Sequence, residues 1–195
     1  MKKIVLDLET KNTFAEVGSK DPAKLDLSVV SIYDYEDNKY YSYLENELEQ
    51  LWQKLEQADL IIGFNLDRFD MPILNKYYHN DLTKIKTLDL YQKIKQAVDK
   101  SLSLDLVAAG TLGVGKSGHG LQAVSWWQEG KIAKIKKYCE DDVRITKEIY
   151  DFARQNEFLK YKLLNEEYKF PIVTQDWEEV GEKQELGGGN YQLPF

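Results

Sequence analysis

The chain has 195 residues, of which 43% are hydrophobic and 30% charged, and its formal net charge is −7 at pH 7. This length and composition indicate one globular domain with a full hydrophobic core. The sequence has no apolar run as long as a membrane span, no signal-peptide pattern after Met1, and one cysteine, Cys139, which excludes an internal disulfide. We therefore expect a cytoplasmic protein with no membrane partner.

The negative charge is concentrated towards the C-terminus. Residues 163–195 carry seven acidic and two basic side chains, so most of the net charge lies there. The balance argues against tight, non-specific binding to duplex nucleic acid. We expect residues 1–165 to form the domain. Residues 166–195 are expected to form an acidic extension, with an edge strand over 168–174 and then a loosely held tail.

Strand and helix patterns follow one another along the chain. Strand patterns occupy residues 3–9, 29–35, 40–44, 59–64 and 85–90. Helical spacing occupies residues 45–57, 67–78, 90–98, 101–109, 121–127 and 132–152. Strands come first, helices follow, and one β–α–β alternation lies between them. The sequence therefore predicts an α/β fold with a central mixed β-sheet flanked by helices.

Two carboxylates, Asp7 and Glu9, stand at the end of the first predicted strand. Residues two apart on a strand share a face, so both acids project to one side, and Leu6 and Leu8 project to the other. Two acids on one face of a sheet destabilise it unless a cation or solvent compensates. The pair is either a solvated strand end or part of a metal site.

The predicted helix over residues 132–152 carries one acid that should face inward. The residues on one stripe of this helix are Ile135, Tyr138, Asp142, Thr146 and Ile149. Asp142 lies near the centre of the stripe, Asp141 about a quarter-turn away, and Glu140 roughly on the outer side. An acid on a buried stripe needs a cation or a strong hydrogen-bond donor.

A third acidic segment, residues 65–70, follows the strand predicted over 59–64. Asp70 comes at the start of the next helix, where a carboxylate is favourable in any case. Asp70 is thus either a residue that stabilises the helix N-terminus or a ligand, and the segment alone leaves both interpretations open.

Taken together, four carboxylates from three elements could hold two divalent cations; they are Asp7, Glu9, Asp70 and Asp142. Ligand sets made only of oxygen suit Mg²⁺ or Mn²⁺ better than Zn²⁺. Two such ions about 4 Å apart stabilise the attacking and leaving oxygens of a phosphodiester displacement.

At this point the residues match a family. The chain resembles the DEDD superfamily of 3′–5′ exonucleases through three motifs in order, Asp7-x-Glu9, Asn65-x-x-x-Phe69-Asp70 and Tyr138-x-x-x-Asp142. The third motif has the tyrosine form, DEDDy, because Lys137 stands where the histidine form has His. Residues 63–72 look like the corresponding segment of family B DNA polymerase proofreading domains and of bacterial ribonuclease-H-like nucleases.

The resemblance covers about residues 1–160 and implies a ribonuclease-H-like fold. It further implies a metal-dependent 3′–5′ exonuclease that acts on single-stranded or frayed DNA or RNA with an accessible 3′ end. The implied metal ligands are Asp7, Glu9, Asp70 and Asp142. Tyr138 would orient the attacking water, Thr10 and Asn65 would lie near the terminal nucleotide, and Phe69 would pack beneath the site.

The segment from Gly110 to Gly120 matches the Walker A pattern, which needs a strand before it and a helix directly after it. Here a helix precedes the pattern, and Gly118-His119-Gly120 interrupts the chain after it. We expect instead a loop near the active site, from which Lys116 and His119 contact a phosphate or the departing nucleotide. A nucleotide-binding switch and a solvated surface loop remain the alternatives.

Three further features leave alternatives open. Trp126 and Trp127 could stack on unpaired bases, although core packing of at least one is favoured. A basic cluster (Lys131, Lys134, Lys136, Lys137) could guide a strand to the site or simply keep the helix solvated. Cys139 is interpreted as a packing residue.

Two other functions are compatible with the same motifs. One is a non-catalytic nucleic-acid-binding or scaffold module of a helicase or polymerase assembly. The other is endonucleolytic cleavage by the same metal chemistry.

Overall fold

The computed structural model describes residues 1–115, 120–164 and 166–179. The strands are β1 (Lys3–Thr10), β2 (Leu27–Asp34), β3 (Lys39–Tyr43), β4 (Leu60–Gly63), β5 (Thr87–Asp89), β6 (Phe158–Leu163) and β7 (Glu166–Pro171). The α-helices are α1 (Phe14–Val17), α2 (Leu48–Leu55), α3 (Asp70–Asn75), α4 (Leu90–Val98), α5 (Leu104–Thr111), α6 (Gly120–Gln128) and α7 (Ile132–Asn156). Short 3₁₀ helices occupy Pro22–Lys24, Glu45–Glu47 and Leu82–Lys84. Within the described ranges, no helix combines the length and the apolar composition that crossing a bilayer requires.

The central sheet has five strands in the order β3-β2-β1-β4-β5. β1 pairs antiparallel with β2 and parallel with β4, and the remaining neighbours continue these two directions. The predicted mixed α/β sheet is therefore confirmed. Because β1 is the middle strand, its side chains on both faces are covered by other elements.

Helices pack on both faces of this sheet, as the strand alternation requires. Ile4, Leu6 and Leu8 of β1 join one core with α2 and α3. Val5 joins a second core with α4, α5 and α7. Alternation along a strand places the side chains of residues 7 and 9 on the same face as Val5. Both acids of β1 therefore face the layer that contains α7.

Helix α7 is the longest of the described helices, with 25 residues. Its C-terminal half packs in the second core through Val143, Ile149 and Ala153. Its N-terminal half packs with α6 over β2 in a third, smaller core that includes Ile135 and Cys139. Residues 140–142 lie between these two contact regions, which places this part of the helix over the end of β1.

The helix predicted over residues 67–78 is shorter in the structure. α3 begins at Asp70, and Pro72 occupies its first turn, where the missing N–H costs no intrahelical bond. The preceding residues form a turn in which Asn65 has a φ of 62°, in the left-handed region. Asn tolerates this conformation better than most residues.

The segment with the predicted edge strand over 168–174 contains β7, at Glu166–Pro171. β7 pairs antiparallel with β6 in a separate two-stranded sheet, and the central sheet does not include it. The hairpin packs on the second core through Leu159, Tyr161 and Phe170. β6 was not predicted, because only two of its six residues are buried and no Gly or Asp-Gly turn separates it from β7. The tail expected after the strand lies, from residue 180 onward, outside the described residues.

Candidate functional site

Three carboxylates from two elements meet where β1 passes under α7. Asp7, Glu9 and Asp142 each offer an oxygen that lies within 4.8 Å of the others. Strand alternation brings the first two to one face, and helical phase brings Asp142 towards them. Asp141 instead lies by Lys137 at 3.1 Å and Arg144 at 3.6 Å on the same helix. In the structure, therefore, Asp142 and not Asp141 lies near the two acids of β1.

Asp70, the fourth predicted ligand, lines the same cleft. It begins α3, is 3% exposed, and its Oδ1 accepts a hydrogen bond from the Leu8 N–H at 3.0 Å. It is not part of the close cluster formed by the other three carboxylates. Its bond to β1 ties the first turn of α3 to the strand that carries Asp7 and Glu9.

The carboxylates of Asp7, Glu9 and Asp70 are buried close to like charges, and their pKa values are raised as a result. Burial, then the charges of Asp70, Asp142 and Glu9, raise the pKa of Asp7 well above its ordinary value. Burial, then the charges of Asp142 and Asp70, raise the pKa of Glu9 in the same way. Burial also raises the pKa of Asp70, although the bond from Leu8 opposes the shift. Removing this mutual repulsion would stabilise the folded state.

Tyr138 lies one helical turn before Asp142 and lines the same cleft. Burial is the main cause that raises its pKa, followed by the nearby charges of Asp142, Glu9 and Asp7 and by a hydrogen bond with Asp142. The phenol therefore stays protonated at neutral pH, and its O–H donates a hydrogen bond to the Asp142 carboxylate. The lone pairs of its oxygen are left to accept a hydrogen bond from a second group.

Cys139 packs behind the carboxylates. The residue is fully buried, and its sulfur lies 3.2 Å from the backbone oxygen of Asp7 and 3.5 Å from Asp7 Oδ2. Burial, then the charges of Asp7 and Glu9, raise the pKa of the thiol. A protonated, enclosed thiol fits the expected packing role.

The cleft around the carboxylates has a volume of about 760 Å³. Thr10 and Phe69 line it, as does Asp70. The Phe69 ring packs edge-to-face against Phe14, with centroids 6.3 Å apart. The structure adds a largely apolar part of the wall that the sequence did not indicate; its residues are Phe14, Ala15, Leu25, Phe64, Leu121 and Val124. The capping box of Thr13 and Glu16 is the signal that would have located α1 and hence Phe14.

Asn65 is the described candidate that the structure does not bring to the cleft wall. Its backbone N–H donates to Asp89 Oδ1 at 2.8 Å. The same buried carboxylate accepts from the N–H groups of Asp67 and Tyr91, at 3.3 and 3.0 Å. Asp89 thus holds the turn that leads to Asp70. Asp89 was not among the predicted residues, although an Asp directly before a helix is an N-cap signal.

Lys116 and His119, the predicted contacts from the glycine-rich loop, lie outside the described residues. The part of the Walker-like pattern that is described begins inside a helix, since Gly110 belongs to α5. A Cβ atom at Gly110 would lie 2.5 Å from backbone atoms of Tyr161. A glycine at position 110 therefore allows α5 to approach β6 closely. A phosphate-binding loop would need a strand before it, and here the preceding element is the helix α5.

The two tryptophans are half-buried and pack against the third core. Trp126 contacts the Tyr138 ring edge-to-face at 5.9 Å, and Lys11 Nζ lies 5.0 Å from the Trp127 ring centroid. Packing against the core, which the sequence favoured for at least one of them, buries part of each ring.

The residues present fit a divalent cation. The donor set consists of carboxylate oxygens, which suits Mg²⁺ or Mn²⁺. The salt bridges found among the described residues include none to Asp7 or Glu9. Burial and mutual repulsion both disfavour the charged cluster on its own, and a bound cation would offset both.

Comparison with known proteins adds the following findings. The sequence model of RNase_H_2, described as RNase_H superfamily, matches residues 4–154. The chain is similar to the family B DNA polymerase from the hyperthermophilic archaeon Pyrobaculum calidifontis, with a TM-score of 0.60 and 19% identity over 79% of this chain and 24% of that chain. It is also similar to Trypanosoma brucei RNase D, with a TM-score of 0.55 and 16% identity over 77% of this chain and 56% of that chain. No curated protein matches the sequence. The chain thus spans about a quarter of the polymerase and somewhat over half of RNase D, and the likeness to both is one of fold.

Proposed function

Because the chain belongs to the RNase_H superfamily, we propose that it is a metal-dependent nuclease that removes nucleotides from the 3′ end of single-stranded or frayed nucleic acid. The observation that carries this proposal is the arrangement of Asp7, Glu9 and Asp142, whose oxygens lie within 4.8 Å of one another at the wall of a nucleotide-sized cleft. Asp70, which lines the same cleft, completes the set of four carboxylates.

The carboxylates are the residues that would hold the metal. Two divalent cations held there would lower the pKa of the attacking water and would stabilise the leaving oxygen. Asp7 and Glu9 are fixed by the central strand of the sheet, and Asp142 by a helix packed on both sides of it. Such fixed geometry lets oxygen ligands accept a cation with little rearrangement.

Tyr138 is positioned to orient the water. Its hydroxyl donates to Asp142, so its oxygen can accept a hydrogen bond from the attacking water and point that water towards the phosphorus atom. The raised pKa keeps the phenol neutral, and Tyr138 therefore acts by orientation and not as a general base. The apolar wall formed by Phe14, Leu121 and their neighbours offers contact to an unpaired base.

The experiment is a nuclease assay on 5′-labelled single strands of DNA and of RNA, with Mg²⁺, with Mn²⁺ and with EDTA. The expected result is stepwise shortening from the 3′ end with either metal, release of nucleoside 5′-monophosphates, and no reaction in EDTA. A circular single strand should stay intact. A wild-type protein that is inert on DNA and on RNA with both metals would refute the proposal. Cleavage of the circle would establish the endonuclease alternative instead.

A further inference from the structure

A second cleft, of about 460 Å³, shares Tyr138 with the carboxylate cleft. Its described lining residues are Trp126, Ala133, Lys134, Lys137, Tyr138 and Asp141. Tyr138 is the one described residue that lines both clefts. The two clefts are therefore neighbours at Tyr138, within reach of one strand that passes this side chain.

The second cleft differs chemically from the first. Where the first has clustered carboxylates, the second has two ammonium groups and an indole ring. Lys137 is 67% exposed and lies 3.1 Å from Asp141, which balances part of its charge. Among the ion pairs of the described residues there is none to Lys134. Lys134 is thus available to an anion from outside.

Trp126 presents its ring in a fixed orientation. The indole packs edge-to-face on Tyr138, with the planes at 74° and the centroids 5.9 Å apart, and it is half-buried against the third core. A ring held in this way loses little conformational freedom when a planar group stacks on it. Bases of any sequence stack on aromatic side chains, but only when they are unpaired.

We propose that the cleft between Trp126 and Lys134 is a second nucleotide subsite, which holds the unpaired strand immediately upstream of the nucleotide in the carboxylate cleft. This inference rests on the proposed function, and it assigns to Trp126 and Lys134 the contacts with the strand beyond the terminal nucleotide. Lys134 binds a backbone phosphate, and Trp126 stacks on a base. The lysines also offset the repulsion between the chain's net negative charge and the phosphates.

The experiment compares two ligands of different length. One is thymidine 5′-monophosphate, which fills only the carboxylate cleft, and the other is a 5′-fluorescein-labelled oligothymidylate of eight nucleotides, which also reaches the second cleft. Binding is measured by calorimetry and by fluorescence anisotropy, with Ca²⁺ in place of Mg²⁺ and strand integrity checked on a gel. The variants are Lys134→Gln and Trp126→Ala. Lys100→Gln is the matched control, because it removes the same charge from an exposed lysine that lines neither cleft.

We expect Trp126→Ala to weaken octamer binding about tenfold, and Lys134→Gln to weaken it and to reduce the salt dependence of log K by about 0.7. Binding of the mononucleotide should not change in Lys134→Gln, and Lys100→Gln should bind both ligands as the wild type does.

Wild-type octamer binding in both cleft variants would overturn the subsite. An equal loss for both ligands in Trp126→Ala, fully restored in Trp126→Phe, would also overturn it, because Trp126 would then act only by positioning Tyr138. If the wild type neither binds nor hydrolyses the octamer, the proposed function itself fails, which is a different outcome from hydrolysis that the variants leave unaffected.

Discussion

The sulfur of Cys139 lies 3.2 Å from the backbone oxygen of Asp7 and 3.5 Å from its carboxylate, so a residue of α7 is in contact with the central strand at the predicted metal ligand. Ser31 is a further hydrogen-bond partner of the thiol, and its Oγ lies 2.8 Å from Ser42 Oγ. A line of small polar side chains therefore runs from β3 to β1 behind the carboxylates. This line holds Asp7 in place from the side opposite the cleft.

The Cys139 thiol should be unreactive in the native protein. Burial and the charges of Asp7 and Glu9 raise its pKa, so at pH 8 it is both protonated and enclosed. We expect Ellman's reagent to modify it slowly at pH 8 and at once in guanidinium chloride, with glutathione as the exposed reference. Because Cys139 is the only cysteine in the sequence, all modification by the reagent reports on this residue. Rapid, stoichiometric modification without denaturant would contradict the buried placement.

Asp7→Asn should stabilise the metal-free protein. The folded-state pKa of Asp7 is raised above its unfolded value, so the folded state binds the proton more tightly. The wild-type free energy of unfolding therefore falls as the pH rises from the unfolded pKa through the folded one, and the loss is complete above the folded pKa. In EDTA at pH 8, the variant should melt a few degrees above the wild type, as measured by calorimetry.

The control for Asp7→Asn is the same measurement at lower pH and with Mn²⁺. The advantage of the variant should shrink as the pH falls, because protonation removes the charge from the wild type as well. Saturating Mn²⁺ should stabilise the wild type more than the variant, since a ligand that binds the native state stabilises it by mass action. A variant that melts below the wild type in EDTA at every pH would show that the cluster carries no repulsion.

Tyr138→Phe should lower the rate of hydrolysis and leave metal binding largely intact. The substitution keeps the ring that packs on Trp126 and removes only the hydroxyl that bonds to Asp142. A reacting group misplaced by about 1 Å can lose about 10²-fold in rate, and we expect an effect of this size when the water loses the hydrogen bond that orients it. Turnover and the Mn²⁺ affinity should be measured together. A variant that no longer binds Mn²⁺ would assign the hydroxyl to the metal site rather than to the water.

Gly110→Ala should destabilise the protein, and Gly115→Ala should not. A Cβ at position 110 would lie 2.5 Å from the backbone of Tyr161, whereas a Cβ at 115 would meet no atom within 4 Å. Overpacking of this kind costs about 1–3 kcal/mol, or roughly 2–4 °C of melting temperature per kcal/mol in a chain of this size. Thermal melts of the two variants decide the point. Equal melting temperatures would contradict the close packing of α5 on β6.

Much of the carboxylate cluster could be predicted from the sequence because two short periodicities determine it. Alternation on β1 placed Asp7 and Glu9 on one face, and the helical repeat on α7 separated Asp142 from Asp141. Both patterns are local, so they need no knowledge of the tertiary fold. Asp70 was harder, because a carboxylate at a helix start is favourable with or without a metal.

The features that were missed depend on contacts between distant segments. The apolar wall at Phe14 and Leu121 forms only when α1 and α6 meet across the cleft. The hairpin of β6 and β7 pairs with itself rather than with the central sheet, a choice that depends on the packing of Leu159 and Phe170 against the second core. Asn65 matches the family motif in sequence. In the structure, its backbone N–H donates to Asp89, and the residue does not line the cleft.

The central claim is that Asp142 belongs to a metal site that hydrolyses nucleic acid, and a matched pair of neighbours tests it. Asp142→Asn removes a carboxylate from the cluster, while Glu140→Gln removes the same charge two residues away, where the side chain lines neither cleft and only one partly exposed ion pair, with Lys137 at 3.9 Å, is lost. Mn²⁺ affinity and hydrolysis of a 5′-labelled single strand are measured for both and for the wild type. We predict that Asp142→Asn loses hydrolysis and binds Mn²⁺ more weakly, while Glu140→Gln resembles the wild type. Full activity in Asp142→Asn, or an equal loss in both variants, would contradict the account.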